Sequence, residues 1–302
     1  MQLTVLGAGS ASPQLHRHPS AFLLAVENEY ILIDCGEGTQ YRLMELKIKH
    51  TRLRTICISH LHGDHYFGLV GLLSSLSLNR RSEPMTLIGP PGLKDILDLQ
   101  FHHSGTVLSF PLEFIPTSED TFSEVLDHHS FRIESFPLIH RVRTTGFKIT
   151  RKSGPRHLKS DLLPENFPIP LIKQLKAGLD VTEPLSGEFY KNEEYTTEGD
   201  KEVVFGYCSD TAFNTSLIPV LKGANMIYHE ATFSEELAER AEKTNHSTAR
   251  DAAQIALQAG VGKLLIGHFS SRYKEYESLL AEARTVFEAT EIAEEGQSYV
   301  II

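Results

Sequence analysis

Tryptophan is absent from this 302-residue chain and cysteine occurs only three times. Cys35, Cys57 and Cys208 are isolated, odd in number and set in apolar runs. That pattern excludes a disulfide framework and reads as reduced core thiols of a cytoplasmic protein. Long apolar runs are also missing. None approaches the roughly 18 residues of a membrane span, so no membrane partner is expected. The start, Met1-Gln2-Leu3-Thr4-Val5-Leu6-Gly7, has neither a basic opening nor a long apolar core, and no signal peptide is expected. Positive charge is in deficit: 29 Lys and Arg against 39 Asp and Glu leave a net charge of −10. This weighs against polyanion binding spread over the whole surface. There is no low-complexity tract, no repeat of solenoid period and no clear linker. What remains is ordinary for a globular protein, at 41% hydrophobic and 23% charged, and long enough to bury a sizeable core.

What the chain does have is a concentration of metal-binding side chains. Ser59-His60-Leu61-His62-Gly63-Asp64-His65 follows Arg54-Thr55-Ile56-Cys57-Ile58, a short β-branched run that reads as a buried strand. A loop at a strand end, with a glycine for a tight bend, can aim several side chains at one point. Imidazole and carboxylate suit zinc and similar divalent ions. Hydrolytic sites often hold two ions about 3.5–4 Å apart, which calls for roughly seven ligands from several strand ends. His140, Asp210 and His268 are the further candidates. Each is the first strongly coordinating residue after an apolar, strand-like run.

The His60-Leu61-His62-Gly63-Asp64-His65 loop resembles the HxHxDH signature of the metallo-β-lactamase superfamily. Further motifs resemble the ribonuclease Z family in particular: Asp34-Cys35-Gly36-Glu37-Gly38-Thr39-Gln40, Tyr228-His229-Glu230-Ala231-Thr232-Phe233, Asn245-His246-Ser247-Thr248-Ala249 and His268-Phe269-Ser270-Ser271-Arg272-Tyr273. They run in that family's order from about residue 1 to residue 275. The resemblance implies an endonuclease that removes the 3′ trailer from tRNA precursors with two Zn2+ per chain, Mn2+ being a substitute. It assigns His60, His62 and His140 to one ion and Asp64, His65 and His268 to the other, with Asp210 bridging. A hydroxide held by the ions would be the nucleophile, and Asp64 would also accept a hydrogen bond from it. It further implies a homodimer acting on precursor tRNA.

The leaving group in such a reaction is a basic ribose 3′ alkoxide, which needs a proton. His246 is the natural donor, with Glu230 orienting it and raising its pKa. The bland alternative for His246 is a helix cap, a role for which Asn245 is the better candidate. Arg272, Ser270 and Ser271 fit phosphate binding beside the metals. His229 and Asp34 read as supports, Asp34 as partner of a ligand imidazole. Two basic clusters offset the negative total: Lys47, Lys49, His50, Arg52 and Arg54, and a second from Arg141 to Lys159. His16, His18, His102, His103, His128 and His129 read as ordinary histidines. A hydrolase of another small phosphodiester or ester on the same fold remains the alternative.

Strands are predicted near 2–7, 20–26, 30–34, 54–59, 85–89, 110–115, 121–126, 130–136, 144–150, 203–208, 225–229 and 263–266. Helices are predicted near 39–47, 65–78, 92–102, 234–243, 246–259 and 274–288. On the second helix Phe67, Leu69, Leu72, Leu73 and Leu76 form the apolar side. Two strand-rich runs, each with outer helices, predict an α/β (α+β) fold, an αββα sandwich with two facing mixed sheets. The expectation is one domain over 1–302, with residues 151–200 as an inserted arm lacking long apolar periodicity. In the resembling family such an arm grips the tRNA elbow, and its Gly-Pro-rich turn is reduced here to Ile169-Pro170-Leu171. Arg151, Lys152, Arg156 and Lys159 are the candidate RNA contacts at its start.

Overall fold

The computed structural model describes residues 1–12, 14–118 and 120–302. The chain divides into two compact units, residues 1–150 with 204–302 and residues 151–203. Its strands are β1 (Gln2–Gly7), β2 (Ala21–Val26), β3 (Glu29–Ile33), β4 (Leu53–Cys57), β5 (Met85–Gly89), β6 (Leu112–Pro116), β7 (Ser123–Asp127), β8 (Phe131–Leu138), β9 (Thr144–Arg151), β10 (His157–Leu158), β11 (Val181–Thr182), β12 (Phe189–Tyr190), β13 (Thr196–Thr197), β14 (Val203–Cys208), β15 (Met226–Glu230), β16 (Leu264–Gly267), β17 (Thr290–Ile292) and β18 (Ser298–Val300). The helices are α1 (Thr39–Glu45), α2 (Gly63–Tyr66), α3 (Leu69–Leu78), α4 (Gly92–Ser104), α5 (Ile169–Lys176), α6 (Asn192–Tyr195), α7 (Leu217–Val220), α8 (Ala238–Thr244), α9 (Ala249–Ala259) and α10 (Glu277–Arg284).

The larger unit carries two seven-stranded sheets, ordered β18-β1-β2-β3-β4-β5-β6 and β17-β16-β15-β14-β9-β8-β7. Both are mixed, with parallel runs β3 to β6 and β14 to β17. Strands covered on both faces need apolar side chains at consecutive positions, as in Ala21–Val26 and at Met226, Ile227 and Tyr228 of β15. Between the sheets Phe22 lies 4.4 Å from Tyr228 and 5.3 Å from Tyr207, ring centroid to centroid, and all three are buried. Burying each such ring contributes about 1.5–3 kcal/mol. Outside, α3 and α4 cover the first sheet through Leu72, Leu73, Leu76, Leu93 and Leu97. On the second sheet α9 and α10 contribute Ala252, Ile255, Ala256, Leu279 and Ala283. The result is the four-layer αββα sandwich expected from the sequence. Within the smaller unit α5 packs Leu175 against Phe167, Val181 and Tyr190.

Several boundaries differ from the expected ones for local reasons. The predicted helix 65–78 is two helices broken at Phe67 and Gly68. A Cβ on Gly68 would sit 2.1 Å from the Gly36 carbonyl oxygen, and the Gly68 N–H bonds Cys35 instead of continuing the helix. Phe67 is 63% exposed and does not join the buried side. The 246–259 helix starts at Ala249, because Thr248 caps it. Its hydroxyl accepts from the Asp251 N–H while the Asp251 carboxylate accepts from the Thr248 N–H, a reciprocal capping box. Neither His246 nor Asn245 therefore caps that helix. Asn245 ends α8 instead, in the left-handed region at φ 53°. Thr248→Ala is expected to destabilise the protein by about 1 kcal/mol, seen as a lower denaturation midpoint at unchanged slope. β17, β18 and the arm helix α5 have no counterpart among the predicted elements. Each is short, and β18 is recruited by pairing with β1 nearly 300 residues away.

Candidate metal centre

The parallel strands deliver the site. β4 ends at Cys57 and runs into the His60–His65 loop, β14 into Asp210, β15 ends at Glu230 and β16 runs into His268. His140 follows β8 in the turn before β9. Two groups of side chains converge, one of His60, His62, His140 and Asp210, the other of Asp64, His65 and His268, and a third, Asp210, His246 and His268, shares a residue with each. Asp210 divides its two oxygens between the first two. Its Oδ2 is 3.8 Å from His60 Nε2 and 3.7 Å from His140 Nε2. Its Oδ1 is 3.4 Å from His65 Nε2 and 3.3 Å from His268 Nε2. Asp64 Oδ2 closes the second group at 3.4 Å from His65 Nε2 and 3.5 Å from His268 Nε2. His60 Nε2 and His62 Nδ1 are 3.1 Å apart. A tetrahedral ion bonded at about 2.0–2.1 Å keeps its ligand atoms about 3.4 Å from one another, so both groups fit a divalent ion. His65 Nε2, His140 Nε2 and Asp210 Oδ1 are buried with no hydrogen-bond partner among the described residues. Buried polar atoms left this way are costly unless an ion occupies them.

A consistent set of hydrogen bonds turns four histidines so that Nε2 faces inward. His65 Nδ1–H donates to Asp34 Oδ2 at 2.7 Å, and His140 Nδ1–H to the Asn245 carbonyl at 2.8 Å. The Ser59 hydroxyl donates to Asp34 at 3.0 Å and accepts from His60 Nδ1 at 3.0 Å. The Thr232 hydroxyl donates to Glu230 Oε2 at 2.6 Å and accepts from His268 Nδ1 at 3.0 Å. Asp34 is buried and takes two more donors, the Ser59 N–H at 2.8 Å and the Tyr207 hydroxyl at 2.7 Å. Such partners fix the tautomer and raise the basicity of the other nitrogen. Asp34 and His268 hold left-handed backbone, φ 57° and 60°, a strain of about 1–3 kcal/mol each that the surrounding bonds sustain.

Electrostatics distinguishes the two halves. Burial, then the neighbouring His65, His62 and His140, push the His60 pKa well below its usual value, so its Nε2 is a free lone pair. Burial also opposes charge on His65, but Asp64, Asp210 and Asp34 outweigh it and raise its pKa well above normal. Three carboxylates around one imidazole mark an excess of negative charge that a cation would balance. Glu230, fully buried, accepts from the Thr211 and Thr232 N–H groups at 2.9 and 3.0 Å and from His246 Nδ1 at 2.7 Å. Burial raises its pKa, yet the imidazolium beside it brings the value down to about 2. Burial lowers the His246 pKa, and the Glu230 carboxylate more than offsets that, raising it to about 9. Dications nearby would draw it back toward neutrality.

A cleft of about 670 Å³ opens over these groups, with His62, Asp64, His140, Asp210, His246 and His268 in its wall. Ser270, Ser271 and Arg272 line it too, with the Arg272 Nε–H on the Ser270 hydroxyl at 3.0 Å. The arm residues are more committed than expected. Arg156 donates to the Thr196 hydroxyl at 2.7 Å, Lys159 to the Glu194 carbonyl at 2.9 Å and Arg151 to the Lys201 carbonyl at 3.1 Å, all within the smaller unit, and Lys152 is half-buried. In the Lys47–Arg54 cluster, Arg52 binds the Asn28 and Glu27 carbonyls and Arg54 pairs with Glu83, so these two are structural ties. His229 is buried and donates to the Glu230 carbonyl at 2.7 Å. Three supporting groups are not among the sequence candidates: Ser59, Thr232 and the Asn245 carbonyl. All three residues lie within the motif stretches, but nothing in those stretches marks them as supports of a ligand.

Comparisons with known proteins bear on this geometry. A family model described as anti-Pycsar protein Apyc1 matches residues 1–149. A ribonuclease Z of Cytophaga hutchinsonii is 43% identical over 300 residues, covering 99% of this chain and 96% of that protein. One from Porphyromonas gingivalis is 40% identical over 296 residues, 96% of each chain. Among solved structures, human tRNase Z, short form, superposes with a TM-score of 0.73 at 26% identity over the full length of both chains. The metallo-β-lactamase fold protein YhfI from Bacillus subtilis, 19% identical, superposes with a TM-score of 0.69 over 99% of this chain and 98% of its own, a likeness of fold.

Proposed function

The chain belongs to the ribonuclease Z family, and from that premise we propose that it is a metal-dependent endoribonuclease that removes the 3′ trailer from tRNA precursors. The observation that carries the chemistry is Asp210, one oxygen toward each histidine group, beside the His246–Glu230 pair. His60, His62, His140 and Asp210 would hold one ion, and Asp64, His65, His268 and Asp210 the other. Histidine and carboxylate donors at tetrahedral spacing favour Zn2+, two per chain, with Mn2+ a substitute. Bound ions supply Lewis-acid stabilisation of the phosphoryl oxygens and bring the pKa of water from 15.7 to about 7. The chain's own residues do the rest. Asp64 accepts a hydrogen bond from the attacking water. His246, oriented by Glu230, gives its Nε2 proton to the departing ribose 3′ oxygen. Arg272, Ser270 and Ser271 bind the phosphate. The protein works in the cytoplasm as a homodimer, and the arm docks the RNA through Arg151, Lys152, Arg156 and Lys159.

The test is cleavage of precursor tRNA by the metal-loaded chain against hydrolysis of bis(p-nitrophenyl) phosphate. A preference for the precursor by orders of magnitude is expected. Neutralising the four arm cations is expected to reduce that preference and to flatten the salt dependence by about one unit of slope for each phosphate no longer bound. A chain that hydrolyses the ester and shows no preference for the precursor is a phosphodiesterase of another substrate.

A further inference from the structure

Two cations at the cleft, Arg141 and Arg240, take no part in the chemistry proposed above. Arg240, on α8, is exposed and lines the same cleft as Asp64, Asp210 and His246. Among the described residues no carboxylate pairs with it; of the acids close to it in sequence, Glu239 faces Lys243 at 3.8 Å and Glu235 faces Arg250 at 3.4 Å. What holds Arg240 is Phe233, a residue only 4% exposed. The Arg240 guanidinium lies 6.0 Å from the ring centroid, the Arg272 guanidinium 5.3 Å, and the His246 ring 6.1 Å. A guanidinium resting on an aromatic ring keeps its in-plane N–H donors free and loses less entropy when it binds an anion. Arg141 lines the cleft as a third guanidinium. A molecule of net charge −10 thus brings three arginines to this opening, the local field that attracts a polyanion.

Position selects the ligand. Arg240 shares Phe233 with His246, and the His246 backbone N–H bonds the carbonyl of Ala241, the residue after Arg240. We propose that Arg240 binds the internucleotide phosphate on the leaving-group side of the scissile bond, the last one retained by the strand whose 3′ oxygen departs, with Phe233 as its backing. The assignment rests on the endoribonuclease reading and adds to it a determinant for a polynucleotide over a simple diester.

The experiment uses the metal-loaded chain, precursor tRNA, the same RNA with an uncharged methylphosphonate at that one position, and bis(p-nitrophenyl) phosphate. Arg240→Ala is expected to lower kcat/KM on the precursor about tenfold, the worth of one charge-assisted hydrogen-bonded pair. The salt slope should fall by about one unit, and Arg240→Lys should keep that slope. The reduction on the neutral-linkage RNA should be no more than about twofold, because the partner charge is already gone. Equal reductions on the charged RNA, the neutral-linkage RNA and the ester overturn the assignment, as does an unchanged salt slope. If the unsubstituted protein itself shows no preference for precursor over ester, the endoribonuclease reading fails first. If that preference stands and Arg240→Ala matches it, only Arg240 has been misassigned.

Discussion

His60→Ala and Asp210→Ala are each expected to lower hydrolysis of bis(p-nitrophenyl) phosphate by at least about 10³-fold, since bound ions contribute several kcal/mol and each 1.36 kcal/mol is tenfold. The two substitutions differ in reach. His60 belongs to one group only, so its removal should leave metal content near half. Asp210 puts an oxygen into each group, so its removal should deplete both. The fold should survive, because the apolar clusters beneath α3, α4, α9 and α10 do not include these residues. Asp34→Asn should give an intermediate result. Asp34 accepts from His65 at 2.7 Å, and losing such support costs about 10–100-fold in metal affinity or activity. Elemental analysis, circular dichroism and ester hydrolysis on the same preparations read all three effects. Adding Zn2+ should raise the melting temperature of the metal-free parent protein, and less so that of Asp210→Ala. A His60→Ala or Asp210→Ala protein with full metal content and parental activity would sink the ligand assignment.

Much of this arrangement is legible in the sequence because its signals are local. Strand ends can be read from apolar runs, and the coordinating residues at those ends, His60 to His65, His140, Asp210 and His268, are the ones that converge. The layered fold follows from two such runs flanked by amphipathic helices. What escapes depends on distant chain. β18 exists because β1 offers it a partner. Phe67 carries helical apolar spacing but is turned outward because Gly68 must pass against Gly36. Capping at Thr248 needs the aspartate three residues on, a pattern present in the sequence but outweighed by the polar residues before it. The supporting bonds are invisible for a different reason. Asn245 holds His140 through its carbonyl group, which every residue has, so only the left-handed backbone there reveals the role. Arg240 lacks any motif, and its place beside Phe233 emerges only once α8 is folded against the loop after β15.

His246→Ala is expected to reduce turnover of precursor tRNA by about 10²–10⁴-fold, the usual contribution of a positioned proton donor. The geometry supports this. His246 Nδ1 is held by Glu230 at 2.7 Å, Glu230 is buried and fixed by two backbone N–H groups, and the ring lies in the cleft wall. Its other nitrogen is therefore the one available to the substrate. A ribose 3′ oxygen is a poor leaving group and gains most from protonation, whereas a nitrophenolate departs without it. The reduction on bis(p-nitrophenyl) phosphate should accordingly be far smaller than on RNA. Substrate binding should change little, so the effect belongs in kcat rather than KM. Glu230→Gln keeps a hydrogen-bond acceptor but removes the charge that favours the imidazolium, and it should fall between the parent and His246→Ala with the same dependence on leaving group. A structural histidine would behave otherwise. Its removal would cost the two substrates equally, because a disturbed metal group cannot distinguish one departing oxygen from another. Equal reductions accompanied by lower metal content would reassign His246 to the neighbouring group of Asp210 and His268, with which it also lies within ligand reach.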